Sequence, residues 1–535
     1  MRNRRQSPPS FACFAGYAVA FTLRLKPRKM RRSGGHLTSV IFSDVLEQVL
    51  RESKKQRRAD RAFWCAGPDC RKRSGYLIHK YIFRDKPIVI DVNSGAVHMV
   101  DPVIYDALDF YEEKICDTES MMKALDGKYG EEALREAQED IAELIASDML
   151  FSEDEVTTEI FESKQPVIKA MCLHVAHDCN MNCAYCFGDK GAFEGIRCLL
   201  TPETGKKALD FLIENSGNRH NLEVDFFGGE PLMNFDVVKE LVSYGRENEG
   251  KYGKNIRFTI TTNGMLLDDE KIDYINEVMD NVILSIDGRP EVNDRMRKTL
   301  NGRGTYDIIT KNYKNFISRR EGLYYVRGTF TRYNLDFADD VKHLLDQGFE
   351  NVSVEPVVTS EKYDYALREE DIGTICAEYD RLSDMYIEHA MRGEPFDFFH
   401  FNVDLNQGPC VIKRVSGCGA GTEYVAVSPE GDIYPCHQFV GNPLFKLGNL
   451  ADETFENRLF DQFNNAHIYN KAECRECWAK FYCSGGCHAN AYQSNGSILE
   501  PYRLGCELEK KRVECAIGIQ AYLTDEYEEG VLQER

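Results

Sequence analysis

Two hydrophobic rhythms run along the chain, and the change from one to the other sets its expected organisation. Between residues 77 and 165, Ile88 to Val92 and Ala96 to Val100 alternate apolar with polar positions on either side of Asn93-Ser94-Gly95. Those turn residues tolerate positive φ, so the two runs predict a β-hairpin. Val103 to Tyr111, Ser120 to Tyr129 and Glu131 to Ser147 then carry apolar residues at helical spacing, with Leu134, Ala137, Ile141, Leu144 and Ile145 on one face. Two or three strands followed by three helices suit a winged-helix module.

From Met171 the pattern becomes a regular alternation of strand and helix. Six strands are expected, at Met171 to Val175, Leu222 to Phe227, Ile256 to Thr261, Asn281 to Ile286, Tyr324 to Phe330 and Asn351 to Val357. Between them lie helical stretches such as Glu203 to Asn215, Asp236 to Asn248 and Asp268 to Met279. Such an α/β repeat predicts a partial (βα)6 TIM-like barrel, two units short of closure, with its chemistry at the carboxyl ends of the strands. Beyond about residue 400, Gly, Cys and aromatic residues increase and the periodicity weakens, so that region is expected to need metal to hold it together. A chain of 535 residues exceeds what one core supports. The expected divisions are a basic extension outside the fold at 1–76, the winged-helix domain at 77–165, the barrel at 166–400, a cysteine-rich domain at 401–520 and an acidic tail at 521–535.

Charge narrows the partners. Residues 1–76 hold 18 Lys+Arg against 5 Asp+Glu, so the overall −21 conceals a main body near −34. An acidic body with no basic stripe argues against nucleic acid, and no apolar run is long enough for a membrane span, which leaves a small molecule or a peptide. The apolar stretch from Phe11 to Leu23 has the length of a signal-peptide core, yet it runs into Arg24 and Lys26 without a small-residue cleavage site. The first 76 residues therefore read as an upstream extension, with Leu77 as the natural first residue and the cytoplasm as the compartment. Nineteen cysteines could suggest a secreted disulfide framework, but three crowd into 179–186 and eight fall between 410 and 506, as expected of a reduced metal-binding protein.

The sharpest chemical signal is Cys179-Asn-Met-Asn-Cys183-Ala-Tyr185-Cys186, just after the first barrel strand. Three thiolates within eight residues can hold three irons of a cubane cluster and leave the fourth iron open to a ligand. A zinc knuckle would need a fourth ligand, for which His177 is the only obvious neighbour. The second strand ends in Gly228-Gly229-Glu230-Pro231, where two glycines permit close backbone approach and a carboxylate can neutralise an ammonium.

These motifs together resemble the radical S-adenosylmethionine (SAM) superfamily, whose CxxxCxΦC loop is matched by Cys179, Cys183, Tyr185 and Cys186 and whose GGEP motif is matched by residues 228–231. The resemblance implies a SAM-chelating [4Fe–4S] cluster on Cys179, Cys183 and Cys186. It also implies SAM contacts from Tyr185, Gly228, Gly229, Glu230 and Pro231, with Ser285 and Asp287 at the end of the fourth strand, the Arg327-Gly-Thr329 end of the fifth, and Arg297. The later cysteines resemble the SPASM extension. By that likeness Cys474, Cys477, Cys483 and Cys506 hold one auxiliary [4Fe–4S] cluster, and Cys418, Cys436 and Cys487 hold another that Cys410 completes or leaves open. Cys172, Cys198, Cys376 and Cys515 have no partners in spacing and read as ordinary buried thiols.

The recognition module, barrel and SPASM region resemble, over about residues 77–520, the maturases of Cys-rich SCIFF peptides, which form thioether cross-links. Ile78-His79-Lys80-Tyr81, Asp91-Val-Asn-Ser-Gly95 and Tyr434-Pro-Cys436-His437-Gln438-Phe439 carry that part of the likeness. It implies a Cys-rich precursor peptide whose leader binds the 77–165 domain, and a ferredoxin or flavodoxin electron donor. His437 is a candidate base by position. The alternatives are an anaerobic sulfatase-maturating enzyme, which places Asp where His437 stands here, and a non-catalytic iron–sulfur electron-transfer protein, which would need neither GGEP nor an open-site cysteine loop.

Overall fold

The structure is a computed structural model that describes residues 22–24, 76–156, 158–159, 166–193, 195, 197–403, 405, 411–456 and 458–528. Expectations for the rest of the first 75 residues, for Cys410 and for residues 529–535 lie outside the described residues. The chain divides into two compact units, one of Leu23–Lys80 with Pro87–Glu155 and one of Met1–Thr22, Tyr81–Lys86 and Val156–Arg535.

In the smaller unit, the hairpin forms where the alternation places it. Strands β1 (Thr22–Arg24), β2 (Ile78–Phe83), β3 (Lys86–Asp91) and β4 (Val97–Met99) make a sheet in the order β1-β4-β3-β2. β3 and β4 pair antiparallel with Ile88 opposite Met99 and Ile90 opposite Val97. β1 therefore adds a strand from the segment expected to lie outside the fold. Helices Pro102–Ala107, Thr118–Tyr129 and Glu131–Ala146 follow, with a short hairpin of β5 (Tyr111–Glu112) and β6 (Ile115–Cys116) between the first two. Leu134, Ala137, Ile141 and Leu144 meet Val89, Ile104, Met121 and Phe151 in one core, as the helical spacing requires.

The larger unit is built on one eleven-stranded sheet. Its centre is β7 (Ala170–Ala176), β8 (Asn221–Gly228), β9 (Asn255–Thr262), β10 (Asn281–Ser285), β11 (Leu323–Phe330) and β12 (Asn351–Pro356), which are the six expected strands in sequence order. All pair parallel, in a register that sets Ala170 opposite Glu223 and Asn281 opposite Leu323. Helices Pro202–Glu214, Phe235–Tyr252, Asp269–Val278, Tyr306–Ile317 and Phe337–Asp346 alternate with them. Burial alternates accordingly: along β8, Leu222, Val224 and Phe226 are buried while Glu223, Asp225 and Phe227 face a more open interior. The fold is thus α/β, with a partial, open barrel.

Two short strands extend the barrel beyond its expected six. β13 (Asp397–Phe398) adds in parallel to β12 at one edge, and β14 (Tyr424–Val427) adds in parallel to β7 at the other. β15 (Asp432–Tyr434), β16 (Gly448–Asn449) and β17 (Thr454–Phe455) continue from β14 as antiparallel pairs. The cysteine-rich region is therefore joined to the barrel by backbone pairing, and residues on both sides of 400 fall in one unit. The final helix, Arg503–Glu528, runs through the boundary expected at 520. Among the described residues, no helix is long and apolar enough to cross a membrane.

Candidate active site and metal centres

The Cys179 loop leaves the end of β7 and is pinned by backbone on both flanks. Asn182 N–H donates to Lys298 O at 2.7 Å and Ala184 N–H to Met296 O at 2.8 Å, while Glu230 N–H donates to Asp178 O at 3.0 Å. That last approach explains the paired glycines. A Cβ on Gly228, which sits at φ +131°, would lie 2.2 Å from Ala176 O, and one on Gly229 would lie 2.2 Å from Asp178 O. Burial pushes the Cys179 thiol up to about 12 and the Cys183 thiol up to about 11, with the other cysteines of the loop adding to the shift. Thiolates here need a positive partner, which a metal centre supplies.

Glu230 is fully buried and already engaged. Its carboxylate accepts from Leu232 N at 3.0 Å, Thr262 Oγ1 at 2.7 Å and Asn263 N at 2.7 Å, which ties the end of β8 to the end of β9. An ammonium at this place would share a carboxylate that holds three protein donors, beside a glycine backbone stripped of side chains. Pro231 opens the short turn Pro231–Asn234 that Glu230 caps.

Across the mouth, Tyr185 of the cysteine loop, Asp287 beyond the end of β10 and Arg297 after the helix Pro290–Met296 come together. Tyr185 Oη donates to Asp287 at 2.8 Å, Arg297 Nη1 donates to Tyr185 Oη at 3.3 Å, and Thr329 N–H donates to Asp287 at 3.0 Å. Burial raises Asp287 to about 6 against the opposing pull of Arg297. Arg297 is 6% exposed, and its Nε has no hydrogen-bond partner. A buried guanidinium with a free N–H beside the cysteine loop suits a carboxylate-bearing ligand, and SAM carries one. Ser285 ends β10 opposite Arg327 and contributes its carbonyl, which accepts from Tyr313 Oη at 3.0 Å.

Four of the later cysteines line one cavity of about 380 Å³: Cys474, Cys477, Cys483 and Cys506, the set expected for one auxiliary cluster. Burial raises Cys474 to about 11 and Cys506 to about 12; the charge of Cys477 adds to the rise of Cys474, and those of Cys474 and Cys477 add to the rise of Cys506. Cys418, Cys436 and Cys487 form a second neighbourhood; burial lifts Cys418 to about 11, with Cys487 adding to the rise, and Cys436 feels both others. None of these sets brings three donor atoms within 4.8 Å of one another, as a single ion requires. Lys471, wholly buried, lies among Cys474, Cys483, Cys487 and Cys418 and donates from Nζ to Gly485 O at 2.7 Å.

The barrel interior carries charged groups that spacing alone does not mark. Asp225 on β8 has an Oδ1 shielded from solvent and without a hydrogen-bond partner, and burial raises its carboxyl to about 7 although Arg327 pulls it down. Glu355 on β12 lies 2.9 Å from His400 Nε2 and 3.2 Å from Arg327 Nη2. Burial pushes Glu355 up, but His400, Arg327 and Arg512 outweigh it and hold it far below the carboxylate range. His437 sits at the mouth between Phe187 and Phe227, with Nδ1 3.2 Å from Tyr424 Oη, and burial lowers it to about 4.

With this geometry in place, the class follows. The radical SAM superfamily matches residues 173–330 and the SPASM iron–sulfur cluster-binding domain matches residues 418–478, so the chain carries a radical SAM domain followed by a SPASM domain. Those two domains imply [4Fe–4S] clusters and SAM as its cofactors. Among curated relatives, the radical SAM cyclopropyl synthase TigE of Paramaledivibacter caminithermalis is 24% identical over 64% of this chain and 72% of its own length. A cysteine-type anaerobic sulfatase-maturating enzyme of Clostridium perfringens is 25% identical over 63% of this chain and 92% of its own. The solved structure of native anSMEcpe with bound AdoMet shares the fold with a TM-score of 0.57 at 20% identity, over 67% of this chain and all of that one.

Proposed function

We propose that the chain is a radical SAM peptide maturase that forms thioether cross-links, joining a cysteine sulfur to a carbon of another residue in a ribosomally made, Cys-rich peptide. The observation that carries this reading is the separate N-terminal unit with a core of its own. The sulfatase-maturase fold is matched along its whole length by 67% of this chain, which leaves room outside it for a recognition module. An enzyme that finds its peptide through a leader needs such a module. Strand β2 closes the small sheet on one side, and a sheet edge is where an extended leader adds as a further strand.

Three [4Fe–4S] clusters belong to this reading, on Cys179, Cys183 and Cys186, on Cys474, Cys477, Cys483 and Cys506, and on Cys418, Cys436 and Cys487. When bound, the first cluster and SAM supply a 5′-deoxyadenosyl radical strong enough to take an unactivated hydrogen. The chain's own residues do the rest. Arg297 with Tyr185 and Asp287 orients a carboxylate, the Gly228–Gly229 backbone lets the ligand approach, and the barrel wall keeps water out. Asp225, raised to about 7, is the better acceptor for the substrate thiol's proton, because His437 is held near 4. A reduced ferredoxin or flavodoxin is the electron donor.

The second reading, formylglycine formation, is favoured by the sulfatase-maturating relatives. One experiment separates the two. The full chain, with clusters reconstituted anaerobically, is given SAM, a reductant and either a Cys-rich leader-bearing peptide or a sulfatase-type Cys peptide, and peptide mass is followed. Loss of two hydrogens per cross-link with sulfur retained is the expected result. Loss of sulfur from the sulfatase-type peptide would establish the second reading, and absence of SAM cleavage would overturn both.

A further inference from the structure

Apart from the cluster cysteines, three unlike donors converge at the entrance to the Cys179 loop. His177 follows β7, Cys198 lies on the return towards helix Pro202–Glu214, and Glu430 sits in the turn between β14 and β15. The Cys198 thiol donates to Glu430 Oε1 at 2.9 Å, and His177 Nδ1 stands 3.8 Å from Glu430 Oε2. One ligand atom from each lies within 4.8 Å of the other two, the only such set of three among the described residues. Two ligands bound at about 2.0–2.3 Å to one tetrahedral ion are held roughly 3.3–3.8 Å apart. The separations of 2.9 and 3.8 Å to the Glu430 carboxylate lie below that range and at its upper end, and all three ligand atoms fall within 4.8 Å of one another, so small side-chain shifts bring them to it.

The surroundings also suit a metal ligand. His177 N–H donates to Cys198 O at 2.8 Å, so the backbone fixes these two residues side by side. The His177 ring is 4% exposed and stacks on Phe193 at 4.8 Å. Its Nε2 lies 3.1 Å from His174 Nδ1. With the proton on Nε2 and donated to His174, the lone pair on Nδ1 is left for the Cys198 and Glu430 side, the orienting contact that ligating imidazoles usually have. Glu430 is 46% exposed, which gives an ion a route in and leaves room for water as a fourth ligand.

We propose that His177, Cys198 and Glu430 form a mononuclear site for a borderline divalent cation, zinc by preference, that fastens the β14–β15 turn to the start of the cluster loop. Imidazole, thiolate and carboxylate together are a zinc-type donor set, and they are too close for a cubane. Binding forms a sulfur–zinc bond in place of the Cys198 S–H bond; the proton leaves to solvent and no electron moves. The site is independent of the proposed peptide chemistry.

The test uses the full chain with its iron–sulfur clusters reconstituted anaerobically, incubated with one equivalent of zinc and desalted. Metal analysis is expected to find close to one retained zinc per chain, and zinc K-edge absorption one sulfur at about 2.3 Å with nitrogen or oxygen ligands at about 2.0–2.1 Å. Cys198→Ser and Glu430→Gln should each weaken zinc retention by at least about tenfold while iron content stays unchanged. No retained zinc, an all-sulfur shell from zinc in the auxiliary cysteines, or equal retention in both variants would overturn the proposal.

Discussion

Asp225 has a shielded oxygen with no partner and a carboxyl raised to about 7, which makes it the interior group whose charge changes near neutrality. Protonated below that pH, it cannot accept a thiol proton. Cross-linking should therefore rise as pH increases through about 7, and Asp225→Asn should remove the rise and slow cross-linking by about 10²–10⁴-fold. 5′-Deoxyadenosine should still form in that variant; a parallel loss of SAM cleavage would show that Asp225 supports the fold rather than the proton transfer. His437 is a poorer acceptor, since moving a proton from a thiol near 8.5 to an imidazole near 4 is uphill by about 6 kcal/mol. Gly229→Ala places a methyl 2.2 Å from Asp178 O, so iron bound at the first cluster should fall in that variant while auxiliary iron persists. Replacing the buried cation Lys471 with Met should move the auxiliary clusters to more negative potential in an EPR-monitored titration, because the reduced state loses a stabilising charge. The cysteine motifs were legible because their chemistry lies in local spacing. Asp225, Lys471 and Cys198 were not, because only tertiary folding gives each its neighbours; Cys198, read as an isolated buried thiol, is half-buried beside Glu430.

At the scale of elements, the six central strands were readable because each is buried on its helix-facing side and bounded by turns. The same pattern failed for β13 and β14, of two and four residues, which are too short to show a period. They are strands because a neighbouring edge offers them hydrogen bonds, and no sequence window contains that edge. The helix Glu131–Ala146 is the opposite case, with a face that announces its own core. Ile141 is fully buried there among residues of the smaller unit alone. Ile141→Ala should cost about 2–5 kcal/mol, read as faster hydrogen exchange across residues 88–151, with iron content unchanged. If iron were lost as well, the two units would not be separate in stability.

For the molecule as a whole, composition argued against a nucleic-acid partner and left a small molecule or a peptide as the substrate class. The compact units meet at residues 155 and 156, ten residues before the boundary expected at 165, and the radical SAM and SPASM regions on either side of 400 share one unit, because β14 pairs with β7. That pairing has a consequence in time. Ala170 meets Tyr424, so during synthesis one side of the barrel's first strand stays bare while some 250 further residues leave the ribosome, about 13–50 s at ordinary elongation rates. For that interval the nascent barrel presents an open strand edge, which is an invitation to aggregate. A chain terminated at residue 400 should accordingly collect in the insoluble fraction, and the cell that makes this protein must shelter the half-finished sheet until its last parallel neighbour arrives.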